Sequence, residues 1–268
     1  MEGGKALVDY HVHTPMCGHA VGELEDYVKA AQARGLHEIG FSDHLIFHMD
    51  NRDYSMPLKQ FPLYIKAVEA VQRRFPRYQV KVGVEVDYFQ GENDVIKSTF
   101  QGEPLDYVLG SVHCINGWVF DDERYISEYK RRDIDELYEE YFKLVQEAAL
   151  SGLFDVIAHP DVIKKFGYKP IRGIKSLYIE TVQAFKEAGI CVEVNTSGLR
   201  KPVHEIYPSV EFLKLCFEKG LPVTLGSDAH NPDEVGWCFD KAVDLLRNVG
   251  YREITVFTGR KRKAVMLE

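Results

Sequence analysis

The residues of this sequence with the clearest capacity for chemistry are its histidines. Seven of the ten histidines lie at the ends of predicted β-strands or in the loops directly after them. His11 and His13 are two residues apart on an extended segment, so both imidazoles project from the same face, as two ligands of one metal ion must. A lone His-x-His pair is weak evidence, because it would also suit the solvated face of a strand.

Imidazole and carboxylate groups follow the other predicted strands as well. An Asp-His pair begins at Asp43, an Asp-x-His pair begins at Asp228, and single histidines follow two further strands. Each is ambiguous alone, but five independent strand ends that carry such groups favour one shared site. The candidate metal ligands are His11, His13, His19, His44, Glu85, His113, His159, Asp228 and His230.

The ligand types limit the metal and the reaction. Neutral imidazole and carboxylate suit Zn, Fe or Mn, and the absence of a thiolate cluster argues against a purely structural zinc site. The candidates outnumber the three or four protein ligands of one catalytic ion, so the sequence predicts two or three divalent metal ions. Multi-metal sites can activate a bridging water as hydroxide and hold the oxygens of a transferred phosphoryl group. The pattern therefore predicts metal-dependent phosphoester hydrolysis.

The elements that must position these residues alternate along the chain. Short β-rich runs are predicted at residues 6–12, 38–43, 79–88, 106–115, 154–160, 190–197 and 222–228. Helical apolar spacing, with glycine after several helix ends, predicts helices at 23–35, 58–75, 92–100, 133–151, 174–188, 208–219 and 234–248. Seven such alternations are typical of a parallel sheet covered by helices.

The placement of polar residues favours a closed barrel over an open sheet. Almost every strand run ends in His, Asp or Glu, and in a barrel those ends converge on one mouth. In an open sheet, functional polar residues are expected mainly at the strand ends near the point where the strand order reverses. We predict one α/β barrel domain over residues 1–268, and after Gly250 a further short strand followed by a basic segment that packs on the outside.

Composition narrows the class of protein. The net charge of −8 argues against a surface that neutralises nucleic-acid phosphates. It is compatible with small phosphorylated substrates. The five scattered cysteines form no Cys-x-x-Cys pair and are interpreted as reduced. Cys17 and Cys114 lie beside candidate ligands and are interpreted as small buried residues, with a thiolate ligand or nucleophile as the alternative. The sequence contains no long apolar stretch and no signal peptide, so we expect a cytoplasmic protein without membrane partners. The sequence does not predict an oligomeric state.

Several motifs resemble those of the PHP (polymerase and histidinol phosphatase) superfamily. They are DYHVHT at 9–14, SDH at 42–44, VEVDY at 84–88, SVH at 111–113, AHPD at 158–161 and GSDAH at 226–230. The segments at 111–121, 159–167 and 194–209 look like the histidinol-phosphate phosphatase branch specifically. The resemblance spans nearly the whole chain and implies a distorted (β/α)7 TIM-like barrel with a trinuclear site.

The resemblance also assigns the ligands and the substrate. It implies one metal held by His11, His13, Glu85 and Asp228, a second by Glu85, His113 and His159, and a third by His19, His44 and His230. Glu85 would bridge two ions. The implied substrate is L-histidinol phosphate, hydrolysed to L-histidinol and phosphate in histidine biosynthesis by a hydroxide that bridges the metals.

Other polar residues are candidates for supporting roles. Asp43 adjoins His44 and is the candidate general acid for the leaving alcohol, with orientation of His44 as the alternative. Arg200 follows the sixth strand, where its guanidinium could bind a phosphate in a fork or be a solvated loop residue. Asp9 is expected to hold a ligand imidazole in one tautomer. Lys164 and Lys165 are interpreted as solvated.

Two other functions use the same residues. A PHP-type phosphoesterase acting on nucleotides or nucleic-acid ends should have a basic track leading to the mouth, which the acidic composition does not favour. A non-catalytic metal-binding regulatory module should lack some ligands, and no position of the implied set is missing here.

Overall fold

A computed structural model describes residues 7–47 and 53–267. Its strands are β1 (Val8–Val12), β2 (Glu38–Phe41), β3 (His44–Leu45), β4 (Gln79–Asp87), β5 (Tyr107–Ser111), β6 (Cys114–Ile115), β7 (Trp118–Val119), β8 (Val156–Ile157), β9 (Cys191–Asn195), β10 (Val223–Gly226), β11 (Glu253–Thr258) and β12 (Lys261–Met266). Parallel pairing runs in the order β1, β2, β4, β5, β8, β9, β10, and β3 also pairs with β4.

The barrel closes between its first and last strands. A parallel bridge joins Val12 to Ala229, and the backbone N–H of His13 donates to the carbonyl of Ala229 at 2.9 Å. The predicted seven-stranded parallel α/β barrel is therefore confirmed.

The barrel is irregular where β2 ends. That strand stops at Phe41, and after two unpaired residues the chain pairs with β4 again, with His44 opposite Glu85 in the register. The register between β1 and β2 also shifts between Asp9 and Val12. These departures from a regular barrel bring a side chain from the loop region into line with the strand that carries Glu85.

Helices cover the outside of the barrel and lie close to the predicted positions. They are α1 (Leu24–Ala33), α2 (Phe61–Arg74), α3 (Asn93–Phe100), α4 (Ile134–Leu150), α5 (Lys175–Ala188), α6 (Val210–Glu218) and α7 (Phe239–Val249). Local chemistry sets several ends. The Asp133 carboxylate accepts the N–H groups of Asp135 and Glu136 at the start of α4, and Gly189 ends α5 with a φ of 66°. Among the described helices, none is long and apolar enough to cross a membrane.

The start of the last helix differs from the prediction of residue 234. The segment Pro232–Glu234 is a 3-10 turn whose N-cap, Asn231, accepts the N–H of Asp233. Gly236 and Cys238 then have φ values of 62° and 56°, which an α-helix cannot accommodate. The α-helix therefore begins only at Phe239.

Aromatic residues fill the end of the barrel opposite its carboxyl mouth. The Tyr107 ring occupies the space that a Cβ would need at Gly40 or Gly83. The antiparallel hairpin of β11 and β12 packs against this end, with the Phe257 ring centroid 6.1 Å from those of both Tyr10 and Tyr107. The basic segment after β11, predicted as a separate outer piece, is thus the second strand of this hairpin.

Candidate metal centre

The carboxyl ends of the barrel strands bring the nine predicted ligands into one cluster. His11 and His13 come from β1 and the residue after it, His44 from β3 and Glu85 from β4. The remaining side chains lie in the loops that follow β1, β5, β8 and β10: His19, His113, His159, Asp228 and His230. The placement follows from the fold, because parallel strands present all their carboxyl ends at the same mouth.

Glu85 lies at the centre of the cluster and is fully buried. Its Oε2 atom is 3.1 Å from His11 Nε2 and 2.9 Å from His44 Nδ1, and its Oε1 atom is 3.1 Å from His159 Nε2. His113 Nε2 is 3.8 Å from Oε1. Burial raises the pKa of Glu85, but His44 and His11 outweigh that effect and hold the pKa well below its usual range. The carboxylate therefore stays ionised.

Asp228 brings a second carboxylate against the same histidines. Its Oδ1 atom lies 3.3 Å from His13 Nε2, 3.8 Å from His11 Nε2 and 3.5 Å from His230 Nδ1. Its backbone adopts the left-handed conformation, with a φ of 54°. An aspartate tolerates this conformation better than most residues, and here it directs the chain after β10 back toward β1.

A third group of imidazoles lies at the edge of the cluster. His19 Nε2 is 2.9 Å from His230 Nε2, and the ring centroids of His19 and His44 are 5.5 Å apart. Burial, together with His44 and His230, lowers the pKa of His19 to about 4. The imidazole is therefore neutral at physiological pH, as a metal ligand must be.

Unpartnered polar atoms test whether this cluster suits metal ions. Among the described residues, the buried atoms His11 Nε2, His13 Nδ1 and Nε2, His44 Nδ1 and Glu85 Oε2 make no well-directed hydrogen bond, although His11 Nε2 and His44 Nδ1 lie within 3.1 Å of Glu85 Oε2. Buried polar atoms almost always make such a hydrogen bond. Groups such as His11, His13 and Asp228, or His11, Glu85 and His159, place their ligand atoms within 4.8 Å of one another. The donor set therefore fits divalent cations of the Zn, Fe or Mn type.

The cluster opens into a cavity of about 520 Å³. Side chains of the cluster form part of its lining, among them His44, His113 and His230. Arg200, Lys165 and Lys201 contribute positive charge, and the loops after β3 and β7 contribute acidic and aromatic side chains. The cavity therefore has the size and the mixed polarity of a site for a small polar ligand.

Comparison with known proteins identifies the family that carries this constellation. The sequence model of the PHP domain matches residues 9–197. The chain belongs to the PHP family. A probable histidinol-phosphatase of Deinococcus radiodurans is 41% identical over 257 residues, which cover 95% of this chain and 98% of that protein.

Further PHP relatives match over most of their length. The histidinol-phosphatase of Bacillus subtilis is 27% identical and matches over 87% of this chain and 96% of its own. The crystal structure of the Lactococcus lactis histidinol phosphate phosphatase, complexed with zinc, L-histidinol and phosphate, has a TM-score of 0.84 at 23% identity. That match covers 97% of this chain and 100% of the Lactococcus chain, and it establishes the fold. The resemblance to the PHP family and its histidinol-phosphatase branch is confirmed.

Two carboxylates of this PHP chain that sequence reasoning missed contact candidate ligands directly. Glu193 Oε1 lies 2.7 Å from His11 Nδ1, and Asp87 Oδ1 lies 2.6 Å from His113 Nδ1. Burial lowers the pKa of His113, but Asp87 and Asp121 outweigh that effect and raise the pKa to about 10. Such carboxylates fix the tautomer and ring orientation of a ligand. Asp87 could have been found, because it lies two residues after Glu85 and so projects from the same strand face.

The expectation for Asp9 was wrong. Its carboxylate accepts the N–H groups of Ser227 at 2.9 Å and Gly236 at 2.8 Å, and the Ser227 hydroxyl at 2.5 Å. It also accepts the backbone N–H of His11 at 3.3 Å, but no imidazole among the described residues. Asp9 thus ties β1 to the loop after β10, while Glu193 contacts the His11 ring.

Asp43 lies next to the cluster but is not part of the cavity wall. Its carboxylate accepts both the N–H and the hydroxyl of Thr14, the latter at 2.5 Å, and it is fully buried. Burial raises its pKa to about 7, although the hydrogen bonds from Thr14 act in the opposite direction. Asp43 is also one of three buried groups, with His13 and Cys17, whose ligand atoms lie within 4.8 Å of one another.

The Cys17 side chain is unsuited to be a free nucleophile. It is fully buried, and burial raises the pKa of its thiol to about 12. Its sulfur also lies within 4.8 Å of ligand atoms of His19 and His230.

Arg200 reaches the cavity from the loop after β9. Its Nη2 atom donates to the carbonyls of Ser227 at 2.8 Å and Asp228 at 3.1 Å, and the guanidinium lies over the Trp237 ring at 5.2 Å. Its Nη1 atom is buried without a hydrogen-bond partner in the described part of the chain. Its Nε atom lies 3.6 Å from Glu234 Oε1, so the guanidinium is held in place from several sides.

Lys165, which was expected to be solvated, lines the cavity. Its ammonium donates to the backbone carbonyl and the carboxylate of Asp121 at 2.5 and 3.2 Å. The neighbouring Lys164 is buried instead and pairs with Asp161 at 2.9 Å. The two lysines, both expected to be solvated, thus have different environments.

Proposed function

We propose that this protein hydrolyses L-histidinol phosphate to L-histidinol and inorganic phosphate, as its PHP relatives are named for doing. The observation that carries the proposal is the convergence of eight imidazole and carboxylate groups, all but His19 buried or half-buried, around Glu85, open to a cavity that also contains Arg200 and Lys165. Such a site can hold cations and a phosphate ester side by side.

The metal ions are assigned to three groups of residues. His11, His13, Glu85 and Asp228 would hold one ion, Glu85, His113 and His159 a second, and His19, His44 and His230 a third. Divalent cations would supply Lewis acidity toward the phosphoryl group and the attacking water. The short contacts of Glu85 with histidines of all three groups support it as the shared ligand.

Arg200 and Lys165 are the proposed phosphate-binding residues. The free Nη1 atom of Arg200 can donate to a phosphoryl oxygen, while Trp237 and the carbonyls of Ser227 and Asp228 hold the guanidinium in place. A cation fixed in this way stabilises charge that develops in the transition state without having to reorganise. Asp43, which adjoins His44 and whose carboxylate is bound by Thr14, is the proposed proton donor to the leaving alkoxide.

Acidic side chains support an alcohol product that carries positive charge. Asp121, Asp122 and Glu123 line the cavity that contains the cationic phosphate-binding residues. L-Histidinol contains a primary amine, which is cationic at neutral pH, and an imidazole that titrates near it. Asp121 and Asp122 already pair with Lys165 and Arg124, so Glu123 is the side chain proposed to attract the amine of the amino alcohol ester.

The decisive experiment measures phosphate release from histidinol phosphate, a nucleoside monophosphate and p-nitrophenyl phosphate with enzyme reconstituted in Mn, Zn or Fe. We expect the highest kcat/KM with histidinol phosphate. A higher kcat/KM with the nucleotide would support the nucleotide phosphoesterase instead. Absence of turnover with metal demonstrably bound would support a regulatory module.

A further inference from the structure

Two loops that are far apart in sequence meet beside the cavity. Tyr54 follows β3, whereas Asp122 and Arg124 follow β7, and all three side chains line the cavity. We call these three residues the Tyr54 clasp. The Tyr54 hydroxyl donates to Asp122 Oδ2 and accepts from Arg124 Nη2. The Nε atom of Arg124 donates to the same Asp122 oxygen at 2.8 Å.

The clasp fixes the position of the Tyr54 ring. The Arg124 guanidinium lies 5.1 Å from the ring centroid of Tyr54, so the ring is held through its hydroxyl and through one face. Asp122 is itself oriented because it accepts the backbone N–H of Arg124 at 2.7 Å. Burial and the hydrogen bond to Asp122 raise the pKa of Tyr54, which keeps the phenol protonated as a donor.

The position of the clasp suggests a role in binding rather than in folding. The Arg124 side chain is 56% exposed, and surface ion pairs of this kind contribute little to stability. The clasp nevertheless holds an aromatic ring against a cavity in which Arg200 and Lys165 are assigned to the phosphate. A planar ring suits the imidazole of the substrate, by stacking when it is neutral and by a cation–π contact when it is protonated.

We propose that Tyr54 is a specificity-determining residue that contacts the imidazole-bearing part of the substrate, and that Arg124 is a positioning residue that acts through Tyr54 and Asp122. This inference rests on the proposed function, because it takes the organic part of the substrate to be histidinol. It separates recognition of the alcohol from recognition of the phosphate.

The test compares Arg124→Ala with Arg131→Ala, using p-nitrophenyl phosphate as the reporter substrate. Arg131 is the matched control, because it lies in the same 3-10 helix, is 72% exposed and pairs with Glu128 on its own turn. Inhibition constants are measured for L-histidinol and for inorganic phosphate. We expect Arg124→Ala to raise the Ki of L-histidinol about fivefold and to leave the Ki of phosphate unchanged, and Arg131→Ala to change neither.

A second variant tests the role of the hydroxyl. Tyr54→Phe retains the ring but removes its bonds to Asp122 and Arg124, so it should raise the Ki of L-histidinol in the same way. Equal changes in the two inhibition constants, or no change in either variant, would overturn the inference while leaving the proposed function intact. If the unaltered enzyme hydrolyses p-nitrophenyl phosphate but not histidinol phosphate, the proposed function is wrong and the role of Tyr54 fails with it.

Discussion

The carboxylate of Glu193 contacts two candidate metal ligands at once. Its Oε1 atom lies 2.7 Å from His11 Nδ1, and its Oε2 atom accepts the backbone N–H of His159 at 2.7 Å. The carboxylate fits there because Gly226 on the neighbouring strand has no side chain, and a Cβ at that position would collide with Oε1. Glu193 therefore couples ligands from β1 and from the loop after β8.

The first prediction is that Glu193→Gln weakens metal binding by about 10- to 100-fold. The neutral amide has only one acceptor oxygen, so it cannot accept both from His11 Nδ1 and from the backbone N–H of His159. Metal affinity is measured by titration of the metal-free protein, and kcat should fall in parallel. Glu187→Gln is the control, because Glu187 is exposed on α5. Equal affinity in the two variants would exclude a supporting role for Glu193.

The sequence predicted the residues that cluster around Glu85 better than the residues that contact them from behind. His11, His13 and Asp228 could be found because imidazole and carboxylate at strand ends have few structural uses. Glu193 lies inside a buried strand, where one carboxylate among valines does not reveal its partner. The partner of Glu193 is 182 residues away along the chain, and only the closed barrel brings the two together.

For the fold, too, the sequence predicted local features and missed those that depend on distant residues or on unusual backbone angles. Alternating apolar runs predicted the seven barrel strands and the helices between them, since the periodicity is local. The sequence did not predict the late start of α7 at Phe239, because it depends on positive φ angles at Gly236 and Cys238. Nor did it predict the Tyr54 clasp, which joins residues about seventy positions apart.

The second prediction concerns metal removal. Treatment with a chelator should abolish activity, and Zn, Mn or Fe should restore it. Removal of the metal ions should also lower the Tm of the protein, because metal ions that bind the folded state stabilise it. Elemental analysis, phosphate release and thermal unfolding on the same samples check this expectation. Full activity in a sample shown to be free of metal would contradict the proposed site.

The third prediction assigns phosphate binding to Arg200. Arg200→Ala should lower kcat/KM about 100-fold and raise the Ki of inorganic phosphate, because a fixed donor to the phosphoryl group is lost. Lys201→Ala is the control, since Lys201 is the next residue and also lines the cavity.

Arg200 also donates to the carbonyls of Ser227 and Asp228, so a second readout is needed. The metal content of Arg200→Ala separates a loss of phosphate binding from a loss of the contact with Asp228. Unchanged metal content with weaker phosphate inhibition would support phosphate binding. Loss of metal with unchanged phosphate inhibition would instead assign Arg200 to holding Asp228.

The fourth prediction tests Asp43 through the leaving group. A proton donor matters for an alkyl alcohol such as histidinol, whose alkoxide is a poor leaving group, but hardly for p-nitrophenolate. Asp43→Asn should therefore lower kcat about 100-fold or more with histidinol phosphate and only slightly with p-nitrophenyl phosphate.

The alternative to proton donation is a structural role, and the buried contacts of Asp43 define what that role would be. Both hydrogen bonds from Thr14 go to this carboxylate, and the backbone turn after Thr14 leads to His19. If Asp43 only holds that turn, Asp43→Asn should reduce both activities by the same factor and lower the metal content. Thr14→Val, which removes the hydroxyl donor but leaves the carboxylate, is the matched variant. A leaving-group effect in Asp43→Asn that is absent in Thr14→Val would assign the proton to Asp43.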